Sequence, residues 1–210
     1  MSAADAAIYV VRHGETEWNA EGRRQGRSDS PLTLRGRAQA VAVARTLRPL
    51  LDGVERVTVE CSPLGRTSVT ARILCRELHL PEHALVRAPL LAELDHGAWE
   101  GLTGDEIEAR FPGMREARAR AKWSFALPGG ESYADGFARA RRWLAARKPG
   151  ETIVAVTHEM LSRALRGAYA SWAPERILEL AHPHDRVFRL RGGACEELAP
   201  PPLPALARRR

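Results

Sequence analysis

Short runs of β-branched residues recur along this 210-residue chain, each followed by a longer amphipathic stretch, and that alternation does most to narrow the fold. Ile8–Val11, Arg56–Glu60 and Thr152–Thr157 are short, apolar and rich in Val, Ile and Thr, the pattern of strands buried on both faces. Between the first two, Thr33–Leu51 places Leu34, Ala38, Val41 and Leu47 at helical spacing. Ser62-Pro63 suits the cap and first position of a helix running to about Leu78. Thr103-Gly104-Asp105-Glu106 and Ser132-Tyr133-Ala134-Asp135 read as capping-box starts of two more helices, and Leu161–Tyr169 as another. Arg176–Ala181 and Arg186–Arg191 read as a terminal pair of strands. Strands alternating with helices predict an α/β fold, a mostly parallel sheet with helices on both faces.

The length suits one domain over 1–198. From about Ala98 to Phe125 the rhythm is interrupted by a segment carrying Trp99, Phe111 and Trp123, expected to form a helical lid (about 98–130) over the sheet edge. Trp99, Trp123 and Phe125 read as packing residues of that lid. From Ala199 on, four prolines and a closing Arg208-Arg209-Arg210 predict a disordered tail. No apolar run approaches the ~20 residues that span a bilayer. Met1–Asp5 lacks a basic-then-apolar signal, so the expected location is cytoplasmic, away from membranes. Cys61, Cys75 and Cys195 show no paired or metal-ligand spacing and read as packing thiols in a reduced compartment. Net charge is +6 and only Lys122 and Lys148 are lysines, so arginine dominates the basic set. Those arginines follow helical patterns and do not alternate with aromatics. That argues against a nucleic-acid partner and fits an anionic substrate.

The strands end in residues with chemistry. Arg12-His13-Gly14 follow the first, Cys61-Ser62 and then Arg66 the second, and Thr157-His158 close the third. In an open parallel sheet, ligands bind outside the carboxyl ends of strands, where helix N-termini point N–H groups outward. Two histidines and two arginines delivered to one edge make a pocket for a doubly charged oxyanion, because guanidinium forks match phosphate geometry and stay charged.

The same residues carry a family resemblance. Val11-Arg12-His13-Gly14-Glu15-Thr16-Glu17-Trp18-Asn19 resembles the signature of the histidine phosphatase superfamily, which includes the cofactor-dependent phosphoglycerate mutases. Gln25–Ala40, Ser62–Ala71, ELDHGAWEG at Glu93–Gly101, PGGES at Pro128–Ser132 and Thr157-His158 are similar to further family motifs in the same order, over roughly residues 8 to 190. The resemblance implies a phosphoglycerate mutase-like fold and a phosphatase. His13 attacks phosphorus to form a phosphohistidine, which water then hydrolyses. Arg12, Arg66 and His158 hold the phosphoryl oxygens, His158 serving best when protonated. Glu93 protonates the leaving group, Asn19 donates a hydrogen bond, and Gln25 and Gly26 shape the mouth. Asp95 and Glu100 read as solvated or capping carboxylates. The substrate class is a small phosphorylated metabolite, with neither metal nor cofactor, and His182 and His184 read as part of a polar loop.

One position departs from the family. Where glycine usually follows the second histidine, this chain has Glu159, expected to face outward at the positive end of the next helix. Two other functions stay open: a phosphoglycerate mutase, disfavoured because HGAWEGLTG resembles phosphatase members, and an inactive phospho-ligand sensor.

Overall fold

The computed structural model describes residues 7–200. The strands β1 (Ile8–Arg12), β2 (Val57–Cys61), β3 (Leu85–Arg87), β4 (Thr152–Thr157), β5 (Val187–Arg191) and β6 (Ala194–Leu198) form one sheet in the order β3-β2-β4-β1-β5-β6. The first four in that order run parallel, β5 is antiparallel to β1, and β6 is antiparallel to β5. The expected fold class is therefore what the chain adopts.

Alternation along β1 explains the layers. After the one-turn helix α1 (Glu17–Ala20) comes α2 (Leu34–Leu51); Tyr9 and Val11 face one side and join its Val43, Ala44 and Leu47 and Ala71 and Leu74 of α3 (Gly65–Glu77). Ile8 and Val10 face the other and join Ala140 and Trp143 of α6 (Tyr133–Ala145) and Leu161, Ala164 and Leu165 of α7 (Glu159–Tyr169). Both faces of the two central strands, β1 and β4, are dry, so each reads as an unbroken apolar run; each fully buried Val, Leu or Ile contributes about 1.5–3 kcal/mol.

The predicted caps hold at Thr103 and Ser132, and Thr33 caps α2 as well, each hydroxyl accepting from the backbone N–H three residues on. Elsewhere the structure corrects the expectation. Helix α3 starts at Gly65 with Leu64 as its cap, and the Ser62 hydroxyl, 2.8 Å from His158 Nε2, accepts from the Leu64 N–H at 3.4 Å. Arg176–Ala181 is not a strand. Pro174 occupies the first turn of α8 (Pro174–Glu179), which buries Ile177 completely. The partner of β5 is β6, reached through Gly192-Gly193 with φ of 55° and 79°, the left-handed pair that a tight hairpin requires.

The interrupting segment forms α4 (Gly104–Arg110) and α5 (Met114–Arg120), packed on a small cluster of Trp99, Leu102, Ile107 and Leu127, with Phe111, Met114 and Phe125 against it. Trp123 stacks on Tyr133 with ring centroids 6.3 Å apart. These aromatic residues pack, as expected. The predicted tail from Ala199 falls almost wholly outside the described residues.

Candidate active site

Parallel pairing brings the strand ends together. Arg12 at the end of β1 sits in register with Thr157 at the end of β4, and the His13 N–H donates to the Thr157 carbonyl at 3.0 Å. The turn after β1 then meets the start of α2 closely. A Cβ on Gly14 would lie 2.1 Å from the Gly36 carbonyl oxygen, so glycine is required there.

His13 is buried, and its Nδ1 lies 2.8 Å from the Gly14 carbonyl oxygen. A carbonyl only accepts, so Nδ1 carries the proton and Nε2 keeps its lone pair. The Arg66 Nε–H reaches that Nε2 at 3.3 Å. Arg66 is itself fixed: Nη1 donates to the Ser28 carbonyl at 2.7 Å and pairs with Asp29 at 3.0 Å, while Nη2 donates to the Gly26 carbonyl at 2.8 Å. Arg12 donates through Nη1 to the His182 carbonyl at 2.9 Å, and its buried Nε has no protein partner. The His158 ring lies 5.1 Å from that of His13, its Nε2 2.8 Å from the Ser62 hydroxyl and its buried Nδ1 without a partner. The structure thus brings His13, Arg12, Arg66 and His158 together. His158 lies beside His13, and not on the wall of the open cleft.

Burial, with Arg66 and Arg12 close by, pushes the His13 pKa well below the ordinary imidazole value. That is the state a nucleophile needs. The same causes push the His158 pKa well below the ordinary imidazole value. Burial lowers the Arg12 pKa to about 10, still charged at neutral pH.

The cleft above His13 has a volume of about 300 Å³ and is lined by Arg12, Asn19, Gln25, Gly26, Arg66 and Glu93, all expected at the site. Glu93 is buried and accepts from the backbone N–H groups of Leu94 (3.0 Å), Met160 (3.2 Å) and Leu161 (3.1 Å), which seats it at the start of α7. Asn19 uses its amide oxygen on Thr16, 3.0 Å from that hydroxyl, leaving Nδ2 as its group for a ligand. Gln25 donates to the Thr16 hydroxyl. Gly26 has φ +53°, and a Cβ there would lie 2.1 Å from a Glu100 oxygen. Asp95 caps a turn through the Gly97 N–H at 2.8 Å. Half-buried Glu100 caps a turn too: it accepts from the Arg27 N–H (2.5 Å) and the Ser28 N–H (2.8 Å) and so pins the loop that holds Arg66.

Several cleft residues were not singled out in the sequence. His96 lines the wall, its pKa lowered to about 4 by burial and by Arg24. Arg23, Arg24, Arg118, Lys122, Tyr133 and Arg163 line the same cleft. Their only signal is excess arginine, which helical spacing disguises. Glu159 corrects another expectation. It does lie in the first turn of α7, but its carboxylate turns to the cleft, with Oε2 3.0 Å from Arg12 Nη1 and Oε1 bonded to Arg163.

Burial raises the Cys61 and Cys75 thiol pKa values, which makes both unreactive packing groups. His182 and His184 lie on the polar loop before β5, as expected, and that loop is built into the site: His182 is buried with its Nδ1 against the Ser162 hydroxyl, and His184 Nδ1 donates to the His13 carbonyl at 2.7 Å. Among the described residues no group of three or more His, Cys, Asp or Glu is placed to hold a metal, and no helix is long and apolar enough to cross a membrane.

A parallel sheet presenting two histidines and two buried arginines at its carboxyl edge defines an α/β protein with an oxyanion pocket around a neutral imidazole. The chain belongs to the histidine phosphatase superfamily, branch 1, whose family model matches residues 8–196. It is 39% identical over 138 residues to the "Probable phosphoglycerate mutase GpmB" of Enterobacter sp. (strain 638), a match covering 66% of this chain and 61% of that protein's length. It is 32% identical over 162 residues to phosphoserine phosphatase 1 of Hydrogenobacter thermophilus, covering 75% and 73%. Among solved structures it resembles a mycobacterial glucosyl-3-phosphoglycerate phosphatase in complex with VO3, with TM-score 0.76, 30% identity, and coverage of 92% of this chain and 97% of that one.

Proposed function

We propose that this protein hydrolyses small phosphomonoesters through a phosphohistidine on His13. The observation that carries this reading is the neutral His13 ring, its Nε2 lone pair held beside Arg66, at the base of a cleft that Arg12 and Glu93 also line. Phosphomonoesters are among the slowest bonds to break unaided, and positioned cations with a covalent intermediate supply the required acceleration. His13 Nε2 attacks phosphorus as the ester P–O bond breaks, and Glu93 passes a proton to the leaving oxygen. Water, giving a proton to the Glu93 carboxylate, then attacks the phosphohistidine, breaks its P–N bond and frees His13 and inorganic phosphate. Arg12 and Arg66 hold the phosphoryl oxygens throughout. His158 adds its unpartnered Nδ1, and the arriving dianion favours its protonation. Asn19, Gln25 and Gly26 form the mouth.

On this reading 1–198 is one domain and 98–130 a lid; Arg118 and Lys122, at the end of α5 and just beyond it, support the latter because they reach the cleft. The substrate is a small phosphorylated metabolite, the protein works in the cytoplasm, and no cofactor takes part. Rapid quenching with 32P-labelled substrate tests the mechanism. Label on His13, lost together with turnover in His13→Ala, is the expected result; turnover without labelled His13 refutes it. The likeness to the GpmB relative favours a second reading, a phosphoglycerate mutase, which predicts interconversion of phosphoglycerate isomers in place of phosphate release.

A further inference from the structure

We infer that Glu159 is an affinity-setting residue of the phosphoryl pocket, a resident carboxylate that competes with the substrate for Arg12 and speeds the departure of inorganic phosphate. This rests on the proposed phosphoryl site but concerns a residue that the hydrolytic scheme does not use.

The position follows from the chain. Glu159 directly follows His158 and opens α7, where a carboxylate ordinarily caps the free N–H groups of the helix. That task is already filled, because the Met160 and Leu161 N–H groups donate to Glu93. The Glu159 side chain takes a different course. One oxygen is bonded to Arg163, four residues along the same helix, and the other lies 3.0 Å from Arg12 Nη1. Arg12 is the better buried partner, its side chain 13% exposed against 33% for Glu159. The nitrogen that meets the carboxylate also donates to the His182 carbonyl, and the Arg12 Nε remains buried without a partner.

Two physical consequences follow. A phosphoryl dianion above His13 needs the Arg12 donors, and a carboxylate on the same guanidinium is a like charge within a few ångströms of its oxygens. Binding then requires either that Glu159 swing away toward Arg163, which already holds its other oxygen, or that two anions share one cation. Both weaken the hold on substrate phosphoryl and on inorganic phosphate alike. Such uniform weakening raises KM, leaves the chemical step untouched, and accelerates release of product. Like charges juxtaposed in a partly desolvated site change affinity by on the order of tenfold or more.

The test compares wild type with Glu159→Gln and Glu159→Gly in the full chain. The Kd of inorganic phosphate is measured by calorimetry and its Ki against an aryl phosphate by kinetics. We expect phosphate to bind on the order of tenfold tighter in both variants, KM to fall in parallel, and the gain to shrink at high salt. Loss of a merely structural residue would loosen the pocket and move affinity the other way. Phosphate affinity that is unchanged or weaker in both variants overturns the inference, as does failure of all three proteins to bind phosphate. Calorimetry needs no turnover, so a chain that binds phosphate more tightly without Glu159 yet never labels His13 would sink the hydrolytic reading and leave this one standing.

Discussion

Acidification should unfold this protein early, and the buried imidazoles set how early. Five histidines, His13, His96, His158, His182 and His184, have pKa values pushed down chiefly by burial, His96 and His184 to about 4 and the other three well below the ordinary value. In the unfolded chain each titrates near 6.5. Below that pH the unfolded state binds protons that the native state refuses, so stability is fully present above about pH 6.5 and drains away as pH falls toward 4. One such histidine costs about 1.4 kcal/mol per pH unit once its unfolded form is protonated. If all five stay neutral in the native state, about 6 kcal/mol is lost between pH 7 and pH 5.5, and about 9 kcal/mol by pH 5. A domain of this size has about 5–15 kcal/mol to lose. Urea unfolding followed by tryptophan fluorescence at pH 7.5, 6.5 and 5.5 reads the slope directly. His184→Asn should reduce it by about 1.4 kcal/mol per pH unit. Bound phosphate should reduce it further, because the dianion favours the protonated His158. A free energy of unfolding that stays constant to within about 1 kcal/mol from pH 7 to 5.5 would refute the reasoning.

Glu93→Gln should leave hydrolysis of an aryl phosphate, whose leaving group needs no proton, nearly intact while slowing alkyl phosphates by about 10²–10⁴-fold; equal losses on both would remove Glu93 from the acid role. Gly14→Ala places a Cβ 2.1 Å from the Gly36 carbonyl oxygen, and a loss of about 1–3 kcal/mol or more should appear in thermal unfolding. Arg139→Met should cost about 3–5 kcal/mol in urea unfolding and lower activity. That side chain holds Glu131 and the carbonyls of Leu90, Ala92 and Glu93 from a buried position. A chelator should leave the turnover rate unchanged.

The central strands were readable because burial on both faces makes each an unbroken apolar run, and the arginines and histidines after them because chain polarity places strand ends at one edge. The periphery was not. Arg176–Ala181 carries two apolar pairs, Ile177-Leu178 and Leu180-Ala181, over too short a span to separate strand from helix, and Pro174 at the first turn of α8 was the signal that decides it. Strand β6, Ala-Cys-Glu-Glu-Leu, is a largely exposed edge strand, betrayed only by the Gly192-Gly193 turn before it. Three-residue β3 has no period to detect. In the site, residues fixed by one backbone turn, such as Arg12 and His13, were found. Those whose role depends on where a side chain swings were not. Glu159 turned to Arg12, Glu100 to the 26–28 loop, and Arg118 and Lys122 reached the cleft from the segment beyond the sheet.

The Arg12 guanidinium rests on the carbonyl of His182, 170 positions further along, and the His13 carbonyl is gripped by His184. During synthesis the His13 ring therefore emerges from the ribosome long before the groups that steady it. A half-made chain carries the proposed nucleophile without its supports, so the site is complete only when β5 closes against β1.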